Sequence, residues 1–354
     1  MRKLFFFAGL IAASTLVYTG CSFPIGDEPE NPSEGGGGGG SSSSVAVNGC
    51  LPGKFSVSPS HKVIFSQGNL VYQASENRYR FHLKQYQIVG GEYYGNVFHD
   101  GIRCRNEDAS SSYEGWIDLF AWGSANKPWT RGDAAYALTT YHEWGDKQIE
   151  NGGNSNEWRV LSAAEWHYML KERPNAAYKV GFCVMKRALY KNIYLERNEF
   201  AEDWVDHDAM LLIPDNWTCP NGINFISVAE QANWSWIESS AQWDDHGLGW
   251  WSNPVSHGYT VANEYTISEL EKLEASGVVI LPATGYVWAD GHYSYSSNQG
   301  DYWSCNKANG IMQQELEGAA YAMEFECLYP AIIEPATASG IAGGKAIRLV
   351  KDVK

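Results

Sequence analysis

The clearest pattern of apolar and polar positions lies at residues 158–171, WRVLSAAEWHYMLK, and predicts a strand end, a turn and a helix. Ser162 stands at the N-cap position and Glu165 follows three residues later, so the two side chains can form a capping box. Leu161 and Trp166 flank this cap at the spacing of a hydrophobic staple. We therefore assign structural roles to Trp158, Ser162, Glu165 and Trp166.

Short apolar runs bounded by turn residues predict β-strands along most of the remaining chain. The predicted strands cover residues 54–57, 62–65, 69–73, 78–82, 178–185, 209–213, 278–281, 302–305, 321–327 and 346–350. A second helix is predicted from Ser268, which has Glu271 three residues later, to a stop at Gly277. Two helices among many short strands indicate an α+β fold instead of a doubly wound parallel sheet.

The first twenty residues have the pattern of a targeting segment. Arg2 and Lys3 precede an apolar run over residues 4–17 that is too short to span a bilayer comfortably. The run ends in YTGC, which resembles the lipobox of bacterial lipoproteins, in which the sulfur of Cys21 is acylated. We predict a lipoprotein signal peptide at 1–20 and lipid attachment at Cys21; the alternative is an ordinary secretory signal.

Residues 21–44 have the composition of a flexible tether. Prolines and four acidic residues are followed by six glycines and four serines, which cannot build a core. Acids soon after a lipidated cysteine resemble the export signal of surface lipoproteins in Bacteroidetes. We therefore predict an outer-membrane lipoprotein at the cell surface, with a periplasm-facing protein as the alternative, and a single folded domain at 45–354.

The charge of the chain argues against nucleic-acid binding. The full chain has 26 basic and 41 acidic residues. Loss of residues 1–20 removes Arg2 and Lys3 and no acid, which leaves 24 basic against 41 acidic residues and a net charge of −17. Such a body does not attract phosphate backbones.

Six cysteines remain after Cys21, and an even number in an exported protein permits disulfides in fifteen pairings. No pair has the CxxC spacing of a zinc or redox site. Cys305 and Cys327 are the favoured bridge, because both end predicted strands that could lie side by side.

The chain also resembles a known family. The segments FSVSPSHKVIFSQGNLVY, GWIDLFAWG, NGGN, WRVLSAAEW, LLIPDNW, ILPATGY, GDYWSC, YAMEFE and AIRLV follow one another over nearly all of the predicted domain. This order resembles the Fibrobacter-type major paralogous domain of surface lipoproteins in gut Bacteroidetes, and the WRVLSAAEW pattern also occurs in the formylglycine-generating enzyme group. The resemblance implies a C-type lectin-like fold: a twisted antiparallel sheet with two flanking helices and long loops that carry ligand contacts.

Two aromatic segments are candidates for ligand binding. Indole rings offer flat apolar faces on which sugar rings can stack, and nearby acids can accept hydrogen bonds from hydroxyl groups. The first segment contains Trp234, Trp236, Trp243, Trp250 and Trp251. The second, residues 286–302, has the Tyr-, Ser- and Gly-rich composition of adaptable binding loops, and we predict that Trp288, Asp290, His292, Tyr293 and Tyr295 face solvent. For the first segment, the alternative is that the aromatics fill an irregular core and their N–H groups satisfy loop carbonyls. For the second, the alternative is a polar surface loop.

Metal and catalytic signals are weak. The acidic triplets at 206–208 and 244–246 offer at most two ligands each, because neighbouring strand residues point to opposite faces. Sugar-binding C-type lectins hold calcium with E-P-N or Q-P-D, whereas this chain has E-P-A at 334–336. No G-x-S-x-G or H-E-x-x-H motif is present. We predict no catalytic residue and no cofactor, with calcium as the alternative.

The sequence as a whole predicts a lipid-anchored, adhesin-like surface protein that binds a glycan or a partner protein. One rival is an oxidase of the formylglycine-generating type, which would use Cys305 and Cys327. A second rival is a structural subunit of a surface appendage or envelope complex.

Overall fold

Short β-strands make up most of the chain that the structure describes. This structure is a computed structural model, and it describes residues 49–88, 110–130, 135, 140–195, 199–230, 263–289, 293–294, 298–308, 318–327 and 332–353. For residues 189–195, 199–205, 293–294 and 332 it describes the backbone alone. The predicted signal peptide, Cys21 and the tether lie outside these ranges.

The strands are numbered in chain order. They are β1 Phe55–Ser56, β2 Lys62–Phe65, β3 Leu70–Gln73, β4 Arg78–Phe81, β5 Trp116–Ile117, β6 Leu119–Phe120, β7 Arg159–Val160, β8 Val180–Leu195 and β9 Glu199–Leu212. They continue as β10 Asn263–Tyr265, β11 Val279–Pro282, β12 Tyr286–Val287, β13 Tyr293–Ser294, β14 Gln299–Lys307, β15 Ala319–Glu326, β16 Ile332–Gly340, β17 Lys345–Ala346 and β18 Leu349–Asp352.

Two short α-helices accompany these strands in the described residues. Helix α1 is Ala163–His167 and continues as a π-helical turn over Tyr168–Glu172, and helix α2 is Ile267–Ala275. Short 3-10 turns occur at Trp144–Asp146 and Ala176–Lys179. The described chain is therefore mainly β with two short helices, which is compatible with the predicted α+β class.

The described strands divide among five sheets, whereas the family resemblance implied a twisted antiparallel sheet. Their orders are β1-β2-β18-β7, β10-β8-β9-β11, β12-β13, β16-β15-β14-β17-β6 and β4-β3-β5. Most neighbours are antiparallel, but β10 runs parallel to β8, and β17 runs parallel to β14. The last strand, β18, pairs with β2, so the two ends of the described body are joined in one sheet.

Three large clusters of buried apolar side chains, and a fourth of only three alanines, form the core in the described residues. The first includes Phe65, Trp166 and Tyr302, and it connects β2, α1 and β14. The second is rich in tryptophan and includes Trp158 and Trp303. The third packs α2 against β8, β9 and β11. All of the described residues belong to a single compact unit.

The predicted start of helix α1 is confirmed. The hydroxyl of Ser162 accepts a hydrogen bond from the Glu165 amide at 3.2 Å, and the Glu165 carboxylate accepts one from the Ser162 amide at 2.8 Å. Leu161 and Trp166 are both buried in the first core cluster, as a hydrophobic staple requires. The guanidinium of Arg159 adds two hydrogen bonds to Glu165, at 2.6 and 2.8 Å.

Helix α2 begins two residues earlier than predicted. Its N-cap is Thr266, whose amide and hydroxyl each donate to the Glu269 carboxylate at 2.8 Å. The sequence holds two overlapping capping patterns, and the earlier start continues directly from β10. The predicted partner Glu271 instead pairs with Lys84 at 2.7 Å. The predicted stop is confirmed, because Gly277 has a φ of +92° just after the helix.

Strands β8 and β9 are longer than the predicted 178–185 and 209–213. They span 16 and 14 residues and pair from Val180 with Leu212 to Leu195 with Glu199. The register shifts between Met185 and Leu189, where the pairing is irregular. The apolar run ends at the charged residues near this irregularity, so a prediction from hydrophobicity stopped there although backbone pairing continues.

Candidate functional site

The structure describes one exposed tryptophan among the predicted ligand-binding residues. The side chain of Trp288 is 54% exposed, and no other tryptophan in the described ranges is classed as exposed. Tyr293 lies in β13, where its backbone pairs with Val287. The remaining predicted contact residues lie outside the described residues: Trp234, Trp236, Trp243, Trp250, Trp251, Asp290, His292 and Tyr295.

Backbone contacts hold strand β12 against β14 and the residue before β17. The Val287 amide donates to the Gly344 carbonyl at 2.8 Å, and the Gly344 amide donates back at 2.7 Å. Before the strand, Gly285 pairs with Gly300 of β14 and has a φ of +62°. A side chain at Gly300 would collide with the ring of Phe325, so this close approach needs glycine.

Tyr286 and Trp288 form an aromatic platform at the molecular surface. Tyr286 begins β12 and Trp288 follows the strand directly; being two residues apart, they lie on the same side, because side chains alternate along an extended chain. Their rings meet edge to face with centroids 5.0 Å apart and an interplanar angle of 67°. The intervening Val287 is buried and points into the core. We call Tyr286 and Trp288 the platform.

A buried ion cluster lies directly against the platform. The ammonium of Lys345 is 2.5 Å from Oδ1 of Asp301 and 2.9 Å from Oε1 of Glu324. The same nitrogen is 5.0 Å from the ring centroid of Tyr286 and 5.6 Å from that of Trp303. Asp301 and Glu324 are direct cross-strand partners on β14 and β15, which explains why both carboxylates reach one lysine.

Burial controls the proton balance of this cluster. Asp301 is fully buried, and desolvation raises its pKa from 3.8 to about 7, with the charge of Glu324 adding to the rise and that of Lys345 opposing it. Burial by itself lowers the pKa of Lys345, but the charges of Asp301 and Glu324 outweigh it and raise that pKa above the usual value. The lysine is therefore charged at neutral pH, and Asp301 exchanges its proton in the neutral range.

Most other described tryptophans have the structural role that was the alternative to ligand binding. The indole N–H of Trp158 donates to the Gly152 carbonyl at 2.6 Å, and that of Trp303 donates to the Phe120 carbonyl at 2.7 Å. Trp122 makes the same kind of bond to Ser304 at 2.8 Å. Trp166 differs, since its buried N–H finds no acceptor among the described residues.

The predicted disulfide between Cys305 and Cys327 is wrong in this structure, where both cysteines are free. Strands β14 and β15 do lie side by side, but they are antiparallel, with Gln299 opposite Glu326. Cys327 is therefore at one end of the pair, where its amide donates to the Asn298 carbonyl, and Cys305 is at the other. About 3.3 Å of rise per residue separates them by roughly 20 Å.

The acidic triplet at 206–208 behaves as a strand pattern. Asp206 is exposed, His207 is buried and Asp208 is intermediate, so neighbouring side chains point to different sides. The Asp206 carboxylate accepts hydrogen bonds from the Lys186 ammonium at 3.1 Å and from the Arg187 amide at 2.9 Å. Within the described ranges, no three His, Cys, Asp or Glu side chains are grouped as a metal site would require. The triplet at 244–246 lies outside those ranges.

The sequence analysis missed the ion cluster. The available signal was the presence of charged residues inside apolar strand segments: Asp301 in GDYWSC, Glu324 in YAMEFE and Lys345 before AIRLV. A charge in such a run is rarely buried unless it is paired. That rule indicates that each of the three charged residues has a partner, but spacing along the chain does not show that they pair with one another.

The geometry therefore shows an exposed aromatic surface supported by a buried cation. Within the described part of the chain, no helix has the length and hydrophobicity that a membrane crossing requires. Neither a family model, nor a curated protein, nor a solved structure matches the chain.

Proposed function

We propose that this chain is a lipid-anchored surface protein that binds a glycan on the platform. The observation that carries the proposal is the 54% exposure of Trp288, in edge-to-face contact with Tyr286 at a position fixed by backbone pairing. A sugar ring presents apolar C–H groups that stack on such a face. The buried Lys345 ammonium lies 5.0 Å from the Tyr286 ring centroid and supports the platform from inside the molecule.

The proposal includes the cellular address and the fold family. Acylation of Cys21 would hold the protein at the outer membrane, and the Gly- and Ser-rich tether would let the body stand away from it. A C-type lectin-like arrangement is supported by the mainly antiparallel strands, the two capped helices and the pairing of β18 with β2. The proposed site needs no cofactor.

The oxidase rival is less favoured. It would need Cys305 and Cys327 to work together, but the register of β14 and β15 places them at opposite ends. Burial also raises the pKa of the Cys305 thiol to about 11, and it raises the pKa of the Cys327 thiol. Thiols with such pKa values are mostly protonated and are weak nucleophiles at neutral pH.

A glycan-array screen of the purified full chain in detergent micelles tests the proposal, once with calcium and once with a chelator. We expect a specific hit that is lost in Trp288→Ala. Tyr178→Ala is the matched control, because Tyr178 is 58% exposed and lies in the 3-10 turn Ala176–Lys179, away from β12. The control should bind like the wild type.

Two other outcomes would contradict the proposal. A blank array in both conditions would direct the search to a protein partner, by a pull-down on which Trp288→Ala is compared with the wild type. Recovery of the chain within a polymer would favour the structural-subunit rival. A hit that needs calcium would direct attention to the acidic triplets at 206–208 and 244–246.

A further inference from the structure

We infer that Lys345 is a positioning residue of the platform. We also infer that proton exchange in its cluster with Asp301 and Glu324 alters the position and local environment of the Trp288 ring. The effect on ligand binding rests on the proposed function. The effect on Trp288 itself does not, because it follows from the contacts within the chain.

The first step is the chain of contacts from the buried cation to the surface. The Lys345 ammonium lies 5.0 Å from the centroid of Tyr286, within the range of a cation–π interaction. The Tyr286 ring in turn meets Trp288 at 5.0 Å. A displacement of the ammonium therefore changes the support of Tyr286 first and of Trp288 next.

The second step is that a purely structural role explains the cluster poorly. Removing a lysine and a carboxylate from water costs free energy that their attraction often only offsets, and well-packed apolar residues fill such sites at least as well. Lys345 is 4% exposed and Asp301 is fully buried, so this cost is present here. Contact with the Tyr286 ring gives the buried cation a role that an apolar side chain could not perform.

The third step is the set of charged groups around Lys345. Asp301 faces it from β14 and Glu324 from β15. Beyond Glu324, its cross-strand partner on β16 is Glu334, which accepts a hydrogen bond from the Thr337 hydroxyl. On the other side, Lys345 pairs with Phe120 of β6, and the titratable residue immediately before that strand is the buried Asp118.

These groups make the charge of the cluster depend on one proton. With Asp301 protonated, the Lys345 ammonium and the Glu324 carboxylate balance each other. With Asp301 ionised, the cluster holds an extra negative charge. Asp301, already 2.5 Å from the ammonium, then holds it more strongly, which weakens its interaction with the Tyr286 ring. Since burial raises the pKa of Asp301 to about 7, this change takes place between weakly acidic and weakly basic pH.

Fluorine NMR of the full chain labelled with 5-fluorotryptophan tests the inference without any ligand. The Trp288 resonance is identified by its absence in Trp288→Phe, an exposed and conservative change. In the wild type we expect this resonance to shift between pH 5.5 and 8.5 with a single midpoint near neutral pH. In Asp301→Asn the titration should be lost while the resonances of buried tryptophans stay in place.

Two further variants separate positioning from general ion pairing. Asp301→Asn combined with Lys345→Met removes the ammonium together with the carboxyl group that titrates, and it should move the Trp288 resonance at every pH. The control is Lys186→Met, because Lys186 also pairs with two acids, Asp206 and Glu264, but lies in β8 with a partly exposed side chain. It should leave the Trp288 resonance unchanged.

A Trp288 resonance that stays constant across the pH range, or that titrates equally in Asp301→Asn, would overturn the inference. For a glycan identified on the array, the double variant should bind about tenfold more weakly, as expected for loss of a cation–π support. If Trp288 titrates but no glycan binds, the proposed function fails and the positioning role stands. If a glycan binds through Trp288 but the Trp288 resonance does not titrate, the positioning role fails and the proposed function stands.

Discussion

Trp158 and Trp288 show two different uses of the same side chain. Trp158 is 3% exposed, packs edge to face against Phe81 at 4.8 Å and bonds the Gly152 carbonyl through its indole N–H. Trp288 is 54% exposed and contacts Tyr286. Packing and hydrogen bonding explain why a tryptophan stands at position 158. Neither explains the exposed indole at position 288. The tryptophan content alone therefore says little about binding, and the environment of each ring decides.

The two charge clusters differ in the same way. Arg159 bonds Glu165 and Asp352 beside the start of helix α1, and both acids are partly open to solvent. This cluster joins β7, α1 and β18, so its role is in the fold. The Lys345 cluster is buried and lies against the platform. Its location connects it to the surface at which we propose binding.

The largest effect is expected for Trp158→Ala. Removing a buried indole leaves a cavity and takes one of two hydrogen bonds from the Gly152 carbonyl, which keeps the bond from Lys351. We therefore expect the free energy of unfolding to fall by about 4 kcal/mol, mainly through the cavity. Urea denaturation followed by circular dichroism measures this change. Trp158→Phe keeps most of the ring packing and should lose roughly half as much. A loss below about 1 kcal/mol in the alanine variant would contradict the structural role that separates Trp158 from Trp288.

A smaller effect is expected when the capping carboxylates are neutralised. Burial raises the pKa of Glu165, but hydrogen bonds from Arg159 and Ser162 outweigh it, so this carboxylate is ionised at neutral pH. Glu165→Gln should lower the free energy of unfolding by about 1–2 kcal/mol, because it removes a charge-assisted pair and part of the cap. Glu269→Gln, at the cap of α2, lacks an arginine partner in the described contacts and should cost less. Equal losses in denaturant titrations would contradict this ranking.

The pH dependence of stability should reveal Asp301. Its pKa is raised in the folded chain from 3.8 to about 7, so the folded state holds a proton that the unfolded state has already released. The stabilising contribution is fully present below about pH 4 and is lost as the pH rises through 7. We expect the free energy of unfolding to decrease from pH 5 to pH 8 in the wild type and to decrease less in Asp301→Asn. An identical pH profile for both proteins would show that another group is responsible.

The smallest effect concerns the cysteines. Because Cys305 and Cys327 are free, a reductant should leave the melting temperature unchanged. Alkylation in denaturant without reductant, followed by mass spectrometry, should label both residues. Recovery of a peptide with Cys305 and Cys327 linked would contradict the register of β14 and β15.

The elements that depend on local sequence were predictable. The capping box at Ser162 and Glu165 needs residues only three positions apart, and strand β2 was predicted with its exact bounds, Lys62–Phe65, from a short apolar run. Helix α2 shows the limit of this approach, because Thr266 with Glu269 and Ser268 with Glu271 both fit the capping pattern, and local sequence does not choose between them. The start at Thr266 buries Leu270 and Leu273.

The features that depend on contacts between distant segments were not predictable. The disulfide prediction required the direction of β14 relative to β15, which spacing does not contain. The ion cluster joins residues 301, 324 and 345, and nothing local brings them together. Trp288 was predicted as an exposed contact from loop composition, and its exposure is confirmed. Its support by Tyr286 and Lys345 could be found only from the structure.

The most direct test of the proposed platform is a paired measurement on Trp288→Ala. Isothermal titration with the best glycan from the array should show at least about a tenfold loss of affinity, while the free energy of unfolding changes by no more than about 0.5 kcal/mol, as for other exposed positions. Tyr178→Ala should change neither the free energy of binding nor the free energy of unfolding by more than about 0.5 kcal/mol. Undiminished affinity in a folded Trp288→Ala protein would contradict the assignment of the platform as the binding surface.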